Sequence, residues 1–334
     1  MAIVYGDNDA DLKHLNGTTV AVIGYGNQGR AQALNLRDAG VSVVVGNIVD
    51  TYRESALRDK QVVLNIDDAV RRADTVMVLL PDEVQLRVYE ESVGPNLRAG
   101  MTLSFASGYN IHFRIIVPPK DVDVILLAPR TLGLTVRTTY AEGSGVPADV
   151  DVWQDYTGNA WQTLLALAKG IGCTRVGVLK SSFQEETDLD LFAEQALWPA
   201  LLDCLLTAYE VLVEKGYSRE AVVLELYGSG EAADIFREMA KQGLFEQMKH
   251  HSPTSQYGVL SRRKGAAGSD LRQNMATALE RIHDGSFARE WAAEAAAKYP
   301  TFERLRREAE AHPINEADQS VRKLLGRDFG RGNP

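Results

Sequence analysis

Three carboxylates spaced four residues apart are the feature of this sequence with the clearest chemical potential. Glu186, Asp190 and Glu194 lie in the stretch EETDLDLFAEQ at residues 185–195, and on a helix this spacing places all three on one face. Like charges at this spacing repel each other, so helix stability does not select them. A nearly unbroken apolar run follows at residues 196–206. Carboxylates at the entrance to a core predict a Mg²⁺ site, because hard oxygen ligands suit this ion; the alternative is a solvated acidic face.

A glycine-rich loop between a strand and a helix is the second candidate site. Residues 18–23 are typical of a buried strand, and the loop after them reads Gly24, Tyr25, Gly26, Asn27, Gln28 and Gly29. Gly24 permits a tight turn, Gly26 lets the backbone approach a pyrophosphate, and Gly29 allows close helix–strand packing. A helix and a strand at residues 41–45 follow, so the pattern predicts dinucleotide binding at a helix N-terminus. The alternative is a glycine-rich turn without a ligand.

The residues after the second strand bear on the choice between NADH and NADPH. An acidic residue at this point hydrogen-bonds the ribose, whereas basic or hydroxyl residues hold a 2′-phosphate. Asn47 and Asp50 form the polar start of this segment, and Asp50 favours NADH. Thr51 and Arg53 follow directly and favour NADPH. The sequence therefore leaves both cofactors open.

Further strands must position the loops around this cofactor. Apolar strands are predicted at residues 75–80, 102–106 and 122–127, and a helix–strand unit at residues 161–178 closes the α/β half. In open α/β sheets, ligands sit beyond the carboxyl ends of the strands, so the loops there should line the cleft. The residues assigned to the cofactor from these loops are Leu80, Pro81, Asp82 and Ser107.

From about residue 182 the pattern changes from alternating strands and helices to helices alone. Helical periods cover residues 189–215, 218–228, 231–241, 271–283, 287–297 and 302–311. Several of them are too apolar all round for one solvated layer, so we expect burial against another subunit. The predicted division is an α/β domain at residues 1–181, an all-helical domain at residues 182–327 and a polar tail at residues 328–334.

Composition narrows the class of protein. The 334 residues are 45% hydrophobic and 24% charged, which is ordinary for a soluble chain with two cores. The net charge of −9, without a basic cluster, argues against nucleic acid as a partner. Cys173 and Cys204 lie in apolar segments and are interpreted as buried thiols in a reducing compartment. The polar N-terminus and the lack of an apolar run of bilayer length predict a cytoplasmic protein with no membrane partner.

The chain resembles the ketol-acid reductoisomerase family, in its short form, over nearly its whole length. The motifs that carry the resemblance are GYGNQGRAQALNL at 24–36, LLPDE at 79–83, YNIHF at 109–113, the stretch at 185–195, SPTSQYG at 252–258 and IHDGSFAREW at 282–291. The family fold implies a Rossmann domain with a doubly wound, mostly parallel sheet, followed by an all-helical domain that intertwines with its partner in a homodimer. The family reaction implies NADPH and two Mg²⁺ ions, which polarise two substrate oxygens during an alkyl migration before hydride transfer.

The resemblance also implies roles for individual residues. Asp190 resembles the carboxylate that bridges the two ions, Glu194 a ligand of one ion, and Glu225 a ligand supplied to the second ion by the other subunit. Ser252 resembles the serine that contacts the substrate carboxylate.

The departures from the family pattern are concentrated at the positions that the resemblance assigns to metal binding and catalysis. Ser229 stands where the family has a second partner-subunit glutamate, and Ser107 where it has the catalytic-loop histidine. Arg130 replaces the lysine of Ala-Pro-Lys, while Pro253 and Gln256 replace the Asn and Glu of SNTAEYG. A hydroxyl lacks the compensating charge of a carboxylate ligand, and Arg for Lys is not conservative at a packed site. The cofactor and fold motifs are thus kept, and the substrate pocket is altered.

These departures favour an NAD(P)H-dependent reductase of a keto acid or imine in which isomerisation is weakened or lost. One Mg²⁺ ion is expected on Asp190 and Glu194, and a weak second position on Asp190 and Glu225. The alternative is an authentic ketol-acid reductoisomerase, converting 2-acetolactate to 2,3-dihydroxy-3-methylbutanoate in branched-chain amino-acid biosynthesis. A second alternative is a catalytically silent binding subunit, against which the intact phosphate loop argues. For both enzymes the partner is a small-molecule substrate.

Overall fold

The chain folds into two compact units, and the division along the sequence falls between Asp190 and Leu191. The structure is a computed structural model that describes residues 2–263, 268 and 270–326. The predicted polar tail at residues 328–334 lies outside the described residues. The division between the units falls later in the chain than the predicted boundary after residue 181, because the first turns of the helix at 183–192 are buried in the first unit.

The first unit is built on one sheet of nine described strands, in the order β1-β9-β8-β7-β6-β5-β2-β3-β4. Six of the eight pairings are parallel; β1 with β9 and β7 with β8 are antiparallel. The predicted Rossmann fold with a mostly parallel sheet is confirmed. The strands are β1 Val4–Tyr5, β2 Thr19–Ile23, β3 Ser42–Gly46, β4 Val63–Leu64, β5 Thr75–Val78, β6 Thr102–Phe105, β7 Asp123–Pro129, β8 Ala148–Gln154 and β9 Val178–Lys180.

Helices cover both faces of this sheet, which explains why the central strands are apolar throughout. Along β2, Val20 and Val22 join one core cluster while Ala21 and Ile23 join the other, as the two-residue period of a strand requires. The helices of the first unit are α1 Asn27–Asp38, α2 Thr51–Arg58, α3 Ile66–Arg72, α4 Asp82–Val88, α5 Tyr109–His112, α6 Gly133–Ala141 and α7 Ala160–Gly170. The next helix, α8 Phe183–Phe192, begins in this unit and crosses the division.

The second unit is all-helical in its described residues, as predicted. Its helices are α9 Trp198–Glu214, α10 Arg219–Val223, α11 Glu231–Gln242, α12 Pro253–Arg262, α13 Leu271–His283, α14 Ser286–Ala296, α15 Pro300–Glu310 and α16 Ile314–Leu324. Two of them, α12 and α16, were not predicted. A small core joins α9, α10 and α16 through Tyr209, Val222, Val223, Ile314, Ala317 and Val321. Two π-helical turns, Ala193–Leu197 and Leu224–Gly228, interrupt the regular helices.

One continuous helix, Phe183–Glu214, is long and apolar enough to span a membrane, judged by length and composition. The expectation that no apolar run approaches bilayer length is therefore wrong. Pro199 lies in this helix without ending it, shortly after the π-helical turn Ala193–Leu197. Only 11% of the apolar window is buried by the described part of the chain.

The two cysteines have opposite environments. Cys173 is buried, and burial raises the pKa of its thiol to about 12. Cys204 is exposed within the single chain, so its prediction as a buried thiol is wrong. It lies on α9, and the apolar sequence around it is not covered by the rest of this chain.

Candidate active site

The turn between β2 and α1 has the backbone geometry that the sequence predicted for its three glycines. Gly24 has φ +93°, and a Cβ added there would lie 2.6 Å from the carbonyl oxygen of Leu79. A Cβ on Gly29 would lie 2.1 Å from the carbonyl oxygen of Gly24, so the helix packs here at a distance that only glycine permits. A Cβ on Gly26 would meet no atom of the described residues within 4 Å. Gly26 therefore faces open space at the start of α1, where a pyrophosphate would lie.

This turn forms one wall of a cleft of about 610 Å³ at the carboxyl ends of the strands. The predicted cofactor residues that line it are Gly24, Tyr25, Gly26, Asn27, Gln28, Asn47, Asp50, Leu80, Pro81, Asp82 and Ser107. Gly29, Thr51 and Arg53 lie outside its wall as far as the chain is described. Arg87, Glu91 and Ser92 also line it and were not predicted from the sequence. They lie on α4 and the turn after it, where no motif or spacing marked them.

Asp50 and Arg53, which favoured different cofactors in sequence, have different surroundings. The Asp50 carboxylate caps α2 by accepting the Arg53 amide at 2.8 Å, and it also accepts the Asn47 side-chain amide at 2.8 Å. The Arg53 guanidinium donates to the carbonyl oxygens of Asn47 at 2.7 Å and Leu64 at 3.1 Å. Arg53 thus holds the backbone, and the charged group from this loop that faces the cleft is Asp50.

The side chain of Tyr25 anchors the glycine turn from behind. Its ring is buried, and its hydroxyl donates to Asp59 Oδ2 at 3.0 Å. The same oxygen accepts Arg30 Nε at 2.7 Å. Burial, with the nearby Asp59 charge, raises the pKa of Tyr25 well above its usual range. Tyr25 therefore stays a neutral donor that fixes the loop.

A second group of polar residues surrounds Arg130, just after β7. Arg130 Nη1 donates to Glu186 Oε1 at 3.0 Å, and its Nη2 donates to Asp190 Oδ1 at 2.7 Å. Its Nε lies 3.6 Å from Asp149 Oδ2 on β8. The prediction that Glu186 and Asp190 share one helix face agrees with their common contact to one guanidinium. We call Arg130, Asp149, Glu186 and Asp190 the arginine–carboxylate cluster.

Glu186 is the buried member of this cluster, with a side chain only 2% exposed. Its Oε2 accepts the Gly108 amide at 2.7 Å. Burial raises the pKa of Glu186 to about 7; the Gly108 hydrogen bond opposes this, Asp190 adds to it, and Arg130 opposes it. Burial also raises the pKa of Asp149, against the effect of Arg130. The solvated-face interpretation is wrong for Glu186.

Gly108 connects this cluster to the cofactor cleft. Ser107 lines the cleft, and the next amide along the chain holds Glu186. A Cβ on Gly108 would lie 2.3 Å from the Phe183 carbonyl oxygen, so the loop lies directly against α8. The two candidate sites of the first unit are therefore neighbours.

The remaining predicted residues lie in the second unit. Glu194 and Glu225 each lie in a π-helical turn, a feature frequent at functional sites. Ser252 caps α12 by accepting the Ser255 amide at 3.2 Å, and the Ser229 hydroxyl accepts the Glu231 amide at 3.4 Å.

The predicted magnesium ligands are carboxylates, which suit the ion chemically. Within the described part of the chain, however, no group of three or more His, Cys, Asp or Glu side chains is placed to hold a metal. Asp190, the predicted bridging ligand, is bound to Arg130. The magnesium site on these residues stays a prediction.

A doubly wound sheet with a glycine turn at a helix N-terminus is typical of dinucleotide-binding domains. The NADPH-binding domain of acetohydroxy acid isomeroreductase matches residues 14–177, and the C-terminal domain of ketol-acid reductoisomerase matches residues 183–326. The chain belongs to the ketol-acid reductoisomerase family.

Individual relatives are similar over almost the whole chain. The ketol-acid reductoisomerase (NADP(+)) of Pyrobaculum aerophilum is 43% identical over 97% of this chain and 99% of its own length. That of Methanocaldococcus jannaschii is 41% identical over 98% of this chain and 99% of its own length. A solved structure of an NADH-preferring ketol-acid reductoisomerase from an uncultured archaeon has a TM-score of 0.93 at 37% identity, covering 96% of this chain and 99% of that one.

Proposed function

We propose that this chain catalyses the complete ketol-acid reductoisomerase reaction, from 2-acetolactate to 2,3-dihydroxy-3-methylbutanoate. The observation that carries the proposal is the 43% identity to a named reductoisomerase across both domains. This likeness favours the authentic enzyme, the alternative of the sequence analysis, over the diverged reductase.

In this proposal the cleft binds the cofactor, and the arginine–carboxylate cluster with its neighbours binds the metal and the substrate. The amides at the start of α1 bind the pyrophosphate, and the bound reduced nicotinamide supplies hydride. Asp190 and Glu194, with Glu225 from the partner subunit, would hold Mg²⁺, which polarises substrate oxygens. Glu186, whose pKa is raised to about 7, can hold or release a proton at its carboxylate oxygens near neutral pH. Ser252 binds the substrate carboxylate.

A second candidate is a reductase that has weakened or lost the migration. The specific observation in its favour is the 2.7 Å contact between Arg130 and Asp190, together with Ser229 in place of a carboxylate. Migration requires two oxygens to be stabilised at once, whereas hydride transfer requires one.

Turnover of two substrates separates these functions. We expect the chain to convert 2-acetolactate and its rearranged product, 3-hydroxy-3-methyl-2-ketobutyrate, at comparable rates across a Mg²⁺ titration, measured by oxidation of the reduced cofactor. Reduction of the rearranged compound alone would overturn the first proposal in favour of the second. Cofactor binding without turnover of either compound would contradict both and indicate a silent binding subunit.

We further propose that NADH is the preferred cofactor. Asp50 presents a carboxylate to the cleft, where it would accept the ribose hydroxyls and repel a 2′-phosphate, while Arg53 is held by backbone carbonyl groups. The structural relative described as NADH-preferring agrees; the sequence relatives named for NADP(+) do not. Asp50 carries the proposal, because it is a residue of this chain that lies at the cleft.

The substitution Asp50→Asn tests this preference without removing the helix cap, since Asn caps helices as well as Asp does. We expect the ratio of kcat/KM for NADH to that for NADPH to fall about tenfold, an effect of about 1.4 kcal/mol. Glu54→Gln removes the same charge from an exposed position of the same helix and should leave the ratio unchanged. An unaltered ratio in Asp50→Asn would refute the assignment.

We propose a homodimer, or a multiple of it, whose interface is the second unit. The support is the long apolar helix of which little is covered within the chain, since an exposed apolar surface of this kind marks an interaction site. We also propose a cytoplasmic location, which suits the two free thiols of the described residues.

A further inference from the structure

The arginine–carboxylate cluster already contains a cation that belongs to the chain. Arg130 forms its two shortest contacts with Glu186 and Asp190, at 3.0 and 2.7 Å. A buried carboxylate requires a compensating charge or hydrogen bonds. For Glu186 these come from Arg130 and the Gly108 amide. Asp190, the predicted bridging ligand, is 44% exposed and has the Arg130 guanidinium at 2.7 Å, so part of its charge is compensated within the chain.

The planar guanidinium is suited to this position in a way that an ammonium group is not. Its fork carries donors in fixed directions, so Nη1 and Nη2 reach two different carboxylates at once while Nε faces Asp149 at 3.6 Å. A lysine presents one compact, mobile point charge. A metal ion that displaced Arg130 would have to break both short contacts.

We propose that the Arg130 guanidinium takes the place of one of the two magnesium ions of the family reaction, so that each subunit binds one ion. The inference rests on the proposed function for its catalytic meaning, but the number of bound ions is independent of turnover. It links two departures from the family pattern that otherwise look unrelated.

Ser229 is the other half of this exchange. The family resemblance assigns a carboxylate ligand to that position, and a hydroxyl removes one negative charge from the second ion. The Ser229 hydroxyl accepts the Glu231 amide at the start of α11. A second dication would therefore have fewer anionic ligands and would share Asp190 with a fixed positive charge. Arg130 and Ser229 therefore both weaken the binding of the second ion.

Titration with Mn²⁺, followed by the electron paramagnetic resonance signal of the free ion, measures the number of bound ions directly. We expect one Mn²⁺ per subunit in the full-length parent and two in the double variant Arg130→Lys/Ser229→Glu. The single variant Arg130→Lys should bind its ion about tenfold more tightly, because Asp190 is released from the fork.

Arg137→Lys is the matched control. Arg137 is exposed to a similar extent as Arg130 and pairs with Asp38 at 2.7 Å, away from the cluster. The same substitution there should leave one ion bound at parental affinity. Thermal melting of each variant checks that it folds.

Two ions, or none, in the parent would overturn the inference, as would unchanged affinity in a folded Arg130→Lys variant. A double variant that stays at one ion would also contradict it. Failure of 2-acetolactate turnover with one ion bound would remove the proposed reductoisomerase function and leave this inference standing. Turnover of 2-acetolactate with two ions bound would support the proposed function and overturn this inference.

Discussion

Replacing Gly26 with valine is expected to abolish cofactor binding and leave the fold intact. Gly26 has φ −73°, a backbone conformation that valine adopts, and an added Cβ has no described atom of the chain within 4 Å. The new side chain would instead fill the space that a pyrophosphate must enter. We expect a loss of at least about 100-fold in affinity for NADH, or about 3 kcal/mol, measured by fluorescence titration beside a thermal melt.

Two other glycines make this experiment specific. Gly6→Val introduces the same side chain in the same unit, at an extended position where a Cβ meets only ordinary contacts near 3.9 Å, and should bind NADH like the parent. Gly29→Val should instead lose the fold, because its Cβ would lie 2.1 Å from a backbone oxygen. Parental affinity in a folded Gly26→Val variant would show that the cofactor binds elsewhere.

The substitution Leu202→Glu is expected to separate the protein into monomers and remove 2-acetolactate turnover. Leu202 is 61% exposed in the single chain and lies on the largely uncovered helix. A charge at the centre of an apolar interface costs about 3 kcal/mol, or roughly a 100-fold weaker dimer. Turnover should fall with dissociation, because the family resemblance places Glu225 of the partner subunit beside Asp190 in the active site. Sedimentation velocity beside an activity assay measures both effects.

Val117→Glu is the control for this experiment. Val117 is exposed in the first unit, outside the apolar helix, so the added charge should leave the sedimentation coefficient unchanged. A monomeric parent, or a Leu202→Glu variant that remains dimeric, would refute the assigned interface. A parent that stays dispersed only in detergent would indicate that a membrane covers this helix.

The sequence predicted best what depends on local chain geometry. The strand–glycine–helix order predicted the cofactor turn, because Gly29 packs against the backbone of Gly24, five residues before it, and Gly24 itself adopts the positive φ of a tight turn. It predicted the second unit less completely, and α12 and α16 were missed. It also missed β8, which is antiparallel to β7 and parallel to β9, and whose aspartates at 149 and 151 interrupt the apolar pattern of a buried strand.

The contacts that decide the chemistry could not be read from the sequence because they join distant positions. Arg130 was recognised as a replacement, but its partners Glu186 and Asp190 are 56 and 60 residues away. The preference for NADH or NADPH could not be predicted for the same reason. Asp50 and Arg53 suggested opposite cofactors, and the deciding contact is the hydrogen bond from Arg53 on α2 to the Leu64 carbonyl group on β4.

The helix that leaves the first unit limits how the chain can be cut. Phe183, Glu186 and Thr187 are almost fully buried there, although the matched cofactor-binding domain ends at residue 177. A fragment that stops at that point would lose Phe183 from its core, at about 3–5 kcal/mol, and would leave the Gly108 amide without its carboxylate. A nucleotide-binding half made on its own therefore has to extend through α8. The two units therefore cannot be separated between residues 177 and 183, where one matched family domain ends and the other begins.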